Sequence, residues 1–302
     1  MMKNRYELIN EEALYAKNQN ILKRYIPLDT RLALIKLHFI IKDPKPFFIR
    51  KLANIKSLRL QRPKQSISEN GVSELCGKNL PHFEKIFSYW LEKSSELINN
   101  KKLNNTRYSK TLLNANEILM HKPTLKFAFS HELLSIIGEY LGSAPSFHEV
   151  GLWWGKAGES SAGSPFFHLD SLDSSCIRLY VYLSDVNEGD GPFCVIPKNE
   201  SLRFIRKTGY LGNSLSDKTV FKYLPLSSLR KLTGNAGSVF AIDASRSLHY
   251  GSRCLEGDRV ALIFSYSSYH NDENTASFLE CLPRLNNLTT LQEMAYDHIS
   301  IK

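Results

Sequence analysis

Two histidines and one aspartate stand at a spacing that suits a metal ion. His168 and Asp170 lie two positions apart in FHLD (167–170), and His249 follows 79 residues after Asp170. On a strand, side chains two positions apart project to the same face, so the pair can reach one ion. A His-x-Asp pair is common by chance, and its surroundings must therefore decide its meaning.

The surroundings of His249 favour a metal site. The segment GSVFAID (237–243) has the pattern of a strand, and Arg259 opens a strongly apolar one, RVALIFSYSSY. Two histidines and a carboxylate form the facial triad of non-haem Fe(II) oxygenases, which leaves three coordination positions open. An arginine at a strand start offers a rigid fork for a carboxylate such as the distal one of 2-oxoglutarate. Zn or Mn on the same ligands, or a metal-free relic, are the alternatives.

The predicted secondary structure around these residues changes from helices to short strands near residue 145. Helical periodicity marks 81–97 and 130–141, whereas short β-rich runs separated by Gly, Pro and Asp follow. Short strands without intervening helices predict a sandwich or barrel, and a jelly roll fits best. We therefore predict an α+β fold. Its helical region, 1–145, packs on a β core, 146–302, which carries a lid insertion at about 198–235.

These motifs together resemble the phytanoyl-CoA dioxygenase family of Fe(II)- and 2-oxoglutarate-dependent oxygenases. The resemblance rests on FHLD at 167–170, RLYVYLSDVNEGDGPFCVIP at 178–197, GSVFAID at 237–243, His249 and DRVALIFSY at 258–266. It implies a cupin-like double-stranded β-helix with flanking helices and the metal at its mouth. It also implies iron ligation by His168, Asp170 and His249, and cosubstrate binding by Arg259. Many family members place Ser or Thr two residues after the distal histidine. Here Gly251 stands there, so we assign that contact to Ser252.

Further site residues follow from alternation along predicted strands. Arg178, Tyr180 and Tyr182 alternate with apolar residues, so one face of their strand is polar. We predict that one of these three residues faces the cofactor cavity, with Tyr180 as the candidate at the cosubstrate and Arg178 as the candidate at the substrate; a solvent-facing edge is the alternative. Trp153 and Trp154 take opposite strand faces. The sequence leaves open which of them lines the pocket, and Trp154 is our candidate.

Basic residues are concentrated at the N-terminus. Of the net charge of +9, residues 1–64 hold 15 Lys and Arg against 5 Asp and Glu. Within them, TRLALIKLHFIIK (30–42) mixes basic and apolar residues in helical register. A buried helix with its charges at the edges is one interpretation. Peripheral contact with an anionic membrane, or with an acidic partner, is another. No nucleic-acid-binding motif is present.

The predicted lid is also basic. Between 198 and 231 the chain has eight Lys and Arg against Glu200 and Asp217, which favours an anionic small-molecule substrate. A solvated loop is the alternative. The N-terminus lacks the apolar run of a signal peptide, and the five cysteines are odd in number without C-x-x-C spacing. We therefore expect a cytoplasmic protein; attachment to the inner face of a membrane is the alternative. Its oligomeric state is not predicted.

The predicted activity is that of a dioxygenase using Fe(II), 2-oxoglutarate and O2. It would hydroxylate an unactivated carbon and release succinate and CO2. Asp170 argues against halogenation, because related halogenases carry a small residue in its place. The alternatives are a non-catalytic β-helix binding protein, and a peripheral membrane oxygenase acting on a lipid or lipid-linked glycan.

Overall fold

The computed structural model describes residues 26, 28–100, 110–158, 166–170, 175–210, 212, 214–251, 253–268 and 285–296. The helices within these ranges are α1 (Leu28–Lys42), α2 (Pro44–Leu60), α3 (Phe83–Asn100), α4 (Ala115–Leu119), α5 (Lys122–Ala128), α6 (His131–Leu141), α7 (Lys198–Thr208), α8 (Asp217–Phe221) and α9 (Thr290–Ala295). The strands are β1 (Val72–Leu75), β2 (Lys110–Leu113), β3 (Pro145–Gly155), β4 (Cys176–Tyr182), β5 (Phe193–Val195), β6 (Arg230–Leu232), β7 (Val239–Asp243), β8 (His249–Tyr250) and β9 (Arg259–Ser268).

The strands form two antiparallel sheets. The larger sheet has the order β1-β7-β4-β9-β3-β2, and the smaller has the order β6-β5-β8. An isolated bridge between His168 and His249 adds a short segment beside β8. Two facing antiparallel sheets with helices outside them confirm the predicted α+β jelly roll.

Three apolar clusters fill the space between neighbouring layers of sheet and helix. The largest joins one face of the large sheet to α3, α5, α6 and α9, and it includes Trp90, Phe127 and Leu179. The second fills the space between the sheets, with Tyr182 from the large sheet and Phe193 from the small one. The third joins the outer face of the small sheet to α7 and α8. The molecule therefore has its two sheets between two helical layers.

The N-terminal helices follow their predicted patterns. In α3, Phe83, Ile86 and Trp90 are buried at helical spacing, as predicted for 81–97. The helix α6 ends where predicted, at Gly142, whose φ of +68° is the left-handed conformation that favours glycine. No helix among the described residues has the length and apolar content needed to cross a membrane.

The predicted division at 145/146 falls at the start of β3. The region before it also supplies strands, because β1 pairs with β7 and β2 pairs with β3. Helical periodicity did not reveal these two short edge strands, which depend on pairing partners at least 39 residues away in the chain. The division into two regions stays a prediction.

The predicted lid insertion is folded. It contains α7, α8 and β6, and β6 pairs with β5 in the small sheet. Phe204, Ile205 and Val220 of this segment are buried in the third cluster, against the outer face of that sheet. Its apolar side chains explain why it packs there, and its role as a lid stays a prediction.

Candidate metal centre

Backbone hydrogen bonds bring the two halves of the site together. The N–H of His168 donates to the carbonyl of His249, and the N–H of His249 donates back to the carbonyl of His168, both at 3.0 Å. The N–H of Asp170 donates to the carbonyl of Ala244 at 3.0 Å. The FHLD segment is therefore held against the β7–β8 connection, far from it in sequence.

The side chains of the three residues converge on one point. Nε2 of His168 lies 3.7 Å and Nε2 of His249 lies 3.6 Å from Oδ1 of Asp170. All three ligand atoms lie within 4.8 Å of one another, and no other group of three His, Cys, Asp or Glu ligands is so placed among the described residues. His249 is buried, while His168 and Asp170 are partly exposed. The spacing and exposure are those of a metal site with one open side.

Backbone carbonyls fix the tautomers of both histidines. Nδ1 of His168 lies 3.0 Å from the carbonyl oxygen of Phe166, and Nδ1 of His249 lies 2.9 Å from that of Ser247. A carbonyl oxygen only accepts, so each Nδ1 carries the proton and each Nε2 presents its lone pair to the centre. Such outer contacts orient metal-binding imidazoles and raise their basicity as ligands.

The second oxygen of Asp170 is held by Arg178. Nε of Arg178 donates to Oδ2 of Asp170 at 2.5 Å, which leaves Oδ1 directed toward the two histidines. Burial alone would raise the pKa of Asp170, but the charges of Arg178 and His249 reverse this and hold that pKa well below its usual range. The carboxylate is therefore ionised at neutral pH and offers one oxygen for a single metal bond.

The imidazole of His168 is held in the neutral form. Burial, and next the charge of His249, lower the pKa of His168 to about 4. A neutral imidazole is the form that binds a metal ion, so the ring of His168 is available as a ligand through the neutral pH range.

Arg259 lies deeper between the sheets. It is buried, and its Nη1 donates to the carbonyl of Gly191 at 2.6 Å. A Cβ placed on Gly251 would lie 3.4 Å from both Nη1 and Nη2 of Arg259, so the absence of a side chain there leaves room in front of the guanidinium. Gly251 is two residues beyond His249. A small anion held by Arg259 would thus lie beside the strand that carries the distal histidine.

Aromatic rings lie between His249 of the triad and Tyr180 on β4. Phe193 stacks on His249 with ring centroids 5.0 Å apart, and Tyr180 lies 4.6 Å from Phe193. Burial raises the pKa of Tyr180 above its ordinary value, against the opposing charge of Arg178 and then of Arg259. Tyr180 is therefore a neutral hydroxyl in the field of both arginines.

Polar groups continue from Arg178 toward solvent. Nη2 of Arg178 lies 3.9 Å from Oε1 of Glu149, and the Ser265 hydroxyl donates to the same oxygen at 3.3 Å. The side chain of Glu149 is 47% exposed. A chain of polar contacts therefore links Asp170 through Arg178 to the exposed Glu149.

The predicted site residues separate into two groups. His168, Asp170, His249, Arg178, Tyr180 and Arg259 all lie in or beside the space between the sheets. Trp154 does not join them, because it is buried in the cluster under the helices and its Nε1 donates to Oδ2 of Asp258 at 2.8 Å. Its neighbour Trp153 packs against the cluster between the sheets. Ser252 lies outside the described residues.

A second arginine of this region, Arg253, has other partners. Nη1 and Nη2 of Arg253 donate to the two carboxylate oxygens of Asp217 at 2.8 and 2.7 Å. Its guanidinium also lies over the ring of Tyr250, 3.5 Å from the centroid. This arginine is engaged on the α8 side of the small sheet, whereas Arg259 lies near Tyr180 and Tyr182.

Structures of similar fold have been solved. SnoN, a non-heme alpha-ketoglutarate-dependent epimerase from nogalamycin biosynthesis, is 16% identical over 74% of this chain and 83% of its own, with a TM-score of 0.45. HygX from Streptomyces hygroscopicus, solved with nickel and 2-oxoglutarate bound, is 16% identical over 66% of this chain and 83% of its own, with a TM-score of 0.43. EctD from S. alaskensis, in its apoform, is 13% identical over 71% of this chain and 76% of its own, with a TM-score of 0.45. No protein-family model and no curated protein sequence matches the chain.

Some residues of the site were not found from the sequence. Phe193, which stacks on His249, and Gly191, which accepts from Arg259, lie in the 178–197 motif, where neither was assigned a role in the site. The bond from Arg178 to Asp170 was also missed, although the alternation along β4 had placed Arg178 on the correct face. An apolar ring or a backbone carbonyl carries no chemical motif, so only the three-dimensional arrangement shows these contacts.

Proposed function

We propose that the protein is an Fe(II)- and 2-oxoglutarate-dependent oxygenase of the phytanoyl-CoA dioxygenase-like type, which hydroxylates an unactivated carbon of a small anionic metabolite. The observation that carries the proposal is the convergence of Nε2 of His168, Oδ1 of Asp170 and Nε2 of His249 within 4.8 Å. These three residues would hold the iron on one side, and cosubstrate and oxygen would bind on the other.

The donor set fits iron. It consists of two imidazoles and one carboxylate, with no thiolate among the three, as in non-haem Fe(II) enzymes. Three properties of the site support ligation: the fixed tautomers, the ionised Asp170 and the single free oxygen left by Arg178. Because of them, metal binding would not have to reorient an imidazole, remove a proton from Asp170 or turn its carboxylate.

The guanidinium of Arg259 is the group proposed to bind the distal carboxylate of 2-oxoglutarate. A buried guanidinium with room beside it offers charge-assisted hydrogen bonds in a region of low dielectric. Tyr180, on the neighbouring strand β4, supplies a neutral hydroxyl close enough to feel the charge of Arg259. In this proposal Arg259 orients the cosubstrate, and Phe193 excludes water from the side of His249.

Bound Fe(II) with 2-oxoglutarate and O2 supplies the oxidant, and the cosubstrate leaves as succinate and CO2. The chain's own contribution is to hold the substrate carbon near the open face of the triad. Arg178 and the basic residues between 198 and 231 are the reason for proposing an anionic substrate. The chain retains a carboxylate at 170, so hydroxylation is proposed rather than halogenation.

The first test is anaerobic addition of Fe(II) and 2-oxoglutarate to the purified metal-free protein. We expect the visible metal-to-ligand charge-transfer band that 2-oxoglutarate gives when it chelates iron through its 2-oxo acid. His168→Ala should abolish the band by removing a ligand. Arg259→Ala should require a much higher 2-oxoglutarate concentration for the same band, because it removes only the distal contact.

A matched histidine control is His38→Ala, on the exposed part of α1, which should leave the band unchanged. If folded wild-type protein gives no band, the oxygenase proposal is wrong, and the alternative of a non-catalytic binding protein gains support. A band that survives His168→Ala would assign the iron to other ligands.

A further inference from the structure

The helix α2 is packed with its polar side chains inward. Arg50 is 1% exposed, and it donates through Nη2 to Oγ of Ser146 at 2.7 Å and through Nε to the carbonyl of Ala144. Nδ2 of Asn54 donates to the carbonyl of Gly138 at 2.9 Å, and Ser57 is buried as well. Surface helices normally bury their apolar face, so α2 inverts the usual arrangement.

The outward side of α2 is correspondingly apolar. Phe48, Ile49, Leu52, Ile55 and Leu60 are all exposed, with Leu52 at 64% and Leu60 at 78%. On α1, which precedes α2 with only Asp43 between them, Leu34, Leu37 and Ile41 are exposed too. These eight residues are more than half of the fourteen large apolar side chains exposed in the described part of the chain. Such a concentration marks an interaction surface.

Basic residues are interleaved with these apolar ones. Lys45, Lys51, Lys56 and Arg59 are exposed on α2, and at 100° per residue they fall within the same arc of the helix as Phe48 and Leu52. The helix α2 contains no acidic residue, and residues 28–64 hold ten Lys and Arg against two Asp. The surface is therefore both apolar and strongly positive.

We propose that the outward faces of α1 and α2 form a docking surface for an anionic phospholipid bilayer. Large apolar side chains enter the boundary between headgroups and acyl chains, while the flexible Lys and Arg stems carry their charges to the lipid phosphates. This is binding along the membrane surface by two adjoining helices, and it is independent of the metal centre.

The charges favour a bilayer over other occupants. A second copy of this chain would bring two positive faces together, which like-charge repulsion opposes. The centres of protein–protein interfaces are depleted of lysine, whereas here lysines lie among the apolar side chains. An anionic bilayer meets both properties at once, because it offers a continuous negative layer above an apolar interior.

The test is sedimentation of the full-length protein with vesicles, without added iron. We expect binding to vesicles of phosphatidylcholine mixed with phosphatidylserine, weak binding to phosphatidylcholine alone, and release at high salt. The double variant Phe48→Ser/Leu52→Ser should bind at least tenfold more weakly. The triple variant Lys45→Gln/Lys51→Gln/Lys56→Gln should lose about fivefold per charge removed.

The matched control is Met120→Ser/Leu226→Ser, which removes two side chains of 66% and 61% exposure on other parts of the surface. It should bind vesicles as the wild type does. Circular dichroism and Fe(II) binding establish that each variant is folded, since none of these residues belongs to the metal centre. The proposal is overturned if wild-type protein does not bind anionic vesicles, or if the control weakens binding as much as the α2 variants.

Two further outcomes would overturn it in favour of another occupant. Tighter binding to soluble polyglutamate than to anionic vesicles would assign the surface to an acidic protein partner. A concentration-dependent dimer that Phe48→Ser/Leu52→Ser dissociates, together with no vesicle binding, would assign the surface to a second copy of the chain.

Discussion

Along β4, alternate side chains enter two different environments. Leu179 and Val181 are completely buried and pack beneath the helices. Arg178, Tyr180 and Tyr182 face the smaller sheet and the metal centre. The two faces of this one strand therefore have different tasks.

The difference lies in what each face requires for burial. On the helical face, apolar side chains are removed from water, and no buried charge or polar side chain needs a partner. On the site face, a guanidinium and a carboxylate are buried together, and each is tolerated only because the other is present. We expect substitutions on the helical face to change stability, and substitutions on the site face to change metal and proton binding.

The largest expected effect is on the helical face. Leu179→Ala removes a fully buried side chain from the main cluster. We expect the free energy of unfolding to fall by about 2–5 kcal/mol, because a cavity is added to the lost burial. Denaturant unfolding of the metal-free protein measures this. A similar loss from Tyr180→Phe, which keeps the ring on the site face, would contradict the comparison.

The second prediction concerns His168 and pH. Its pKa is lowered from 6.5 to about 4 by burial, and next by the charge of His249. The unfolded chain therefore binds the proton more tightly, and unfolding takes up a proton between these two pH values. The stability from this group is complete above about pH 6.5 and is lost as the pH falls toward about 4.

The size of this loss is about 2–3 kcal/mol, which follows from the shift in pKa. It should be seen in urea unfolding of the metal-free protein, measured from pH 7 to pH 4. His168→Gln should show a correspondingly shallower decline over this range. Parallel profiles for wild type and variant would show that His168 is not held neutral in the folded state.

The third prediction concerns the pair on the site face. Arg178→Leu leaves Oδ2 of Asp170 without its partner, so the carboxylate is no longer held with Oδ1 toward the histidines. We expect the affinity for Fe(II) to fall by about 10- to 100-fold, as is common when an outer contact of a metal ligand is removed. Titration of the metal-free protein with Fe(II) under anaerobic conditions measures it.

A matched control removes a different arginine from a buried aspartate. Nε of Arg246 donates to Oδ2 of Asp243 at 2.6 Å, and this pair lies outside the triad. Arg246→Leu should destabilise the protein while leaving the affinity for Fe(II) within a few-fold of wild type. If both variants weaken iron binding equally, the effect of Arg178 is on folding and not on the orientation of Asp170.

The sequence allowed the fold class and the residues of the triad to be predicted for a physical reason. Strand periodicity is local, so the alternation in 177–183 and the His-x-Asp spacing are both visible in short segments. The approach of His249 to His168 is not local, and it was inferred from the order of motifs. The structure brings these residues together through a pair of backbone bonds.

Other features could not be predicted because they depend on contacts between distant segments. The room beside Arg259 exists because Gly251 has no side chain, and only the three-dimensional approach of Gly251 to the guanidinium reveals this. The inverted packing of α2 depends on Ala144, Ser146 and Gly138, which accept hydrogen bonds from its buried polar residues. The choice between Trp153 and Trp154 depends on the register of β3 against β9.

The smallest expected effects come from that tryptophan pair and test the comparison on a second strand. Trp154→Phe loses the hydrogen bond from Nε1 to Asp258, so we expect a loss of about 1 kcal/mol in stability and an unchanged charge-transfer band with Fe(II) and 2-oxoglutarate. Trp153→Phe should alter stability less. Because Trp153 lies on the site face, its emission should respond to Fe(II) and 2-oxoglutarate, and the change should persist in Trp154→Phe but be reduced in Trp153→Phe. A fluorescence response that is reduced only in Trp154→Phe would place the cofactor pocket on the opposite face of the sheet and would contradict the assignment of both faces.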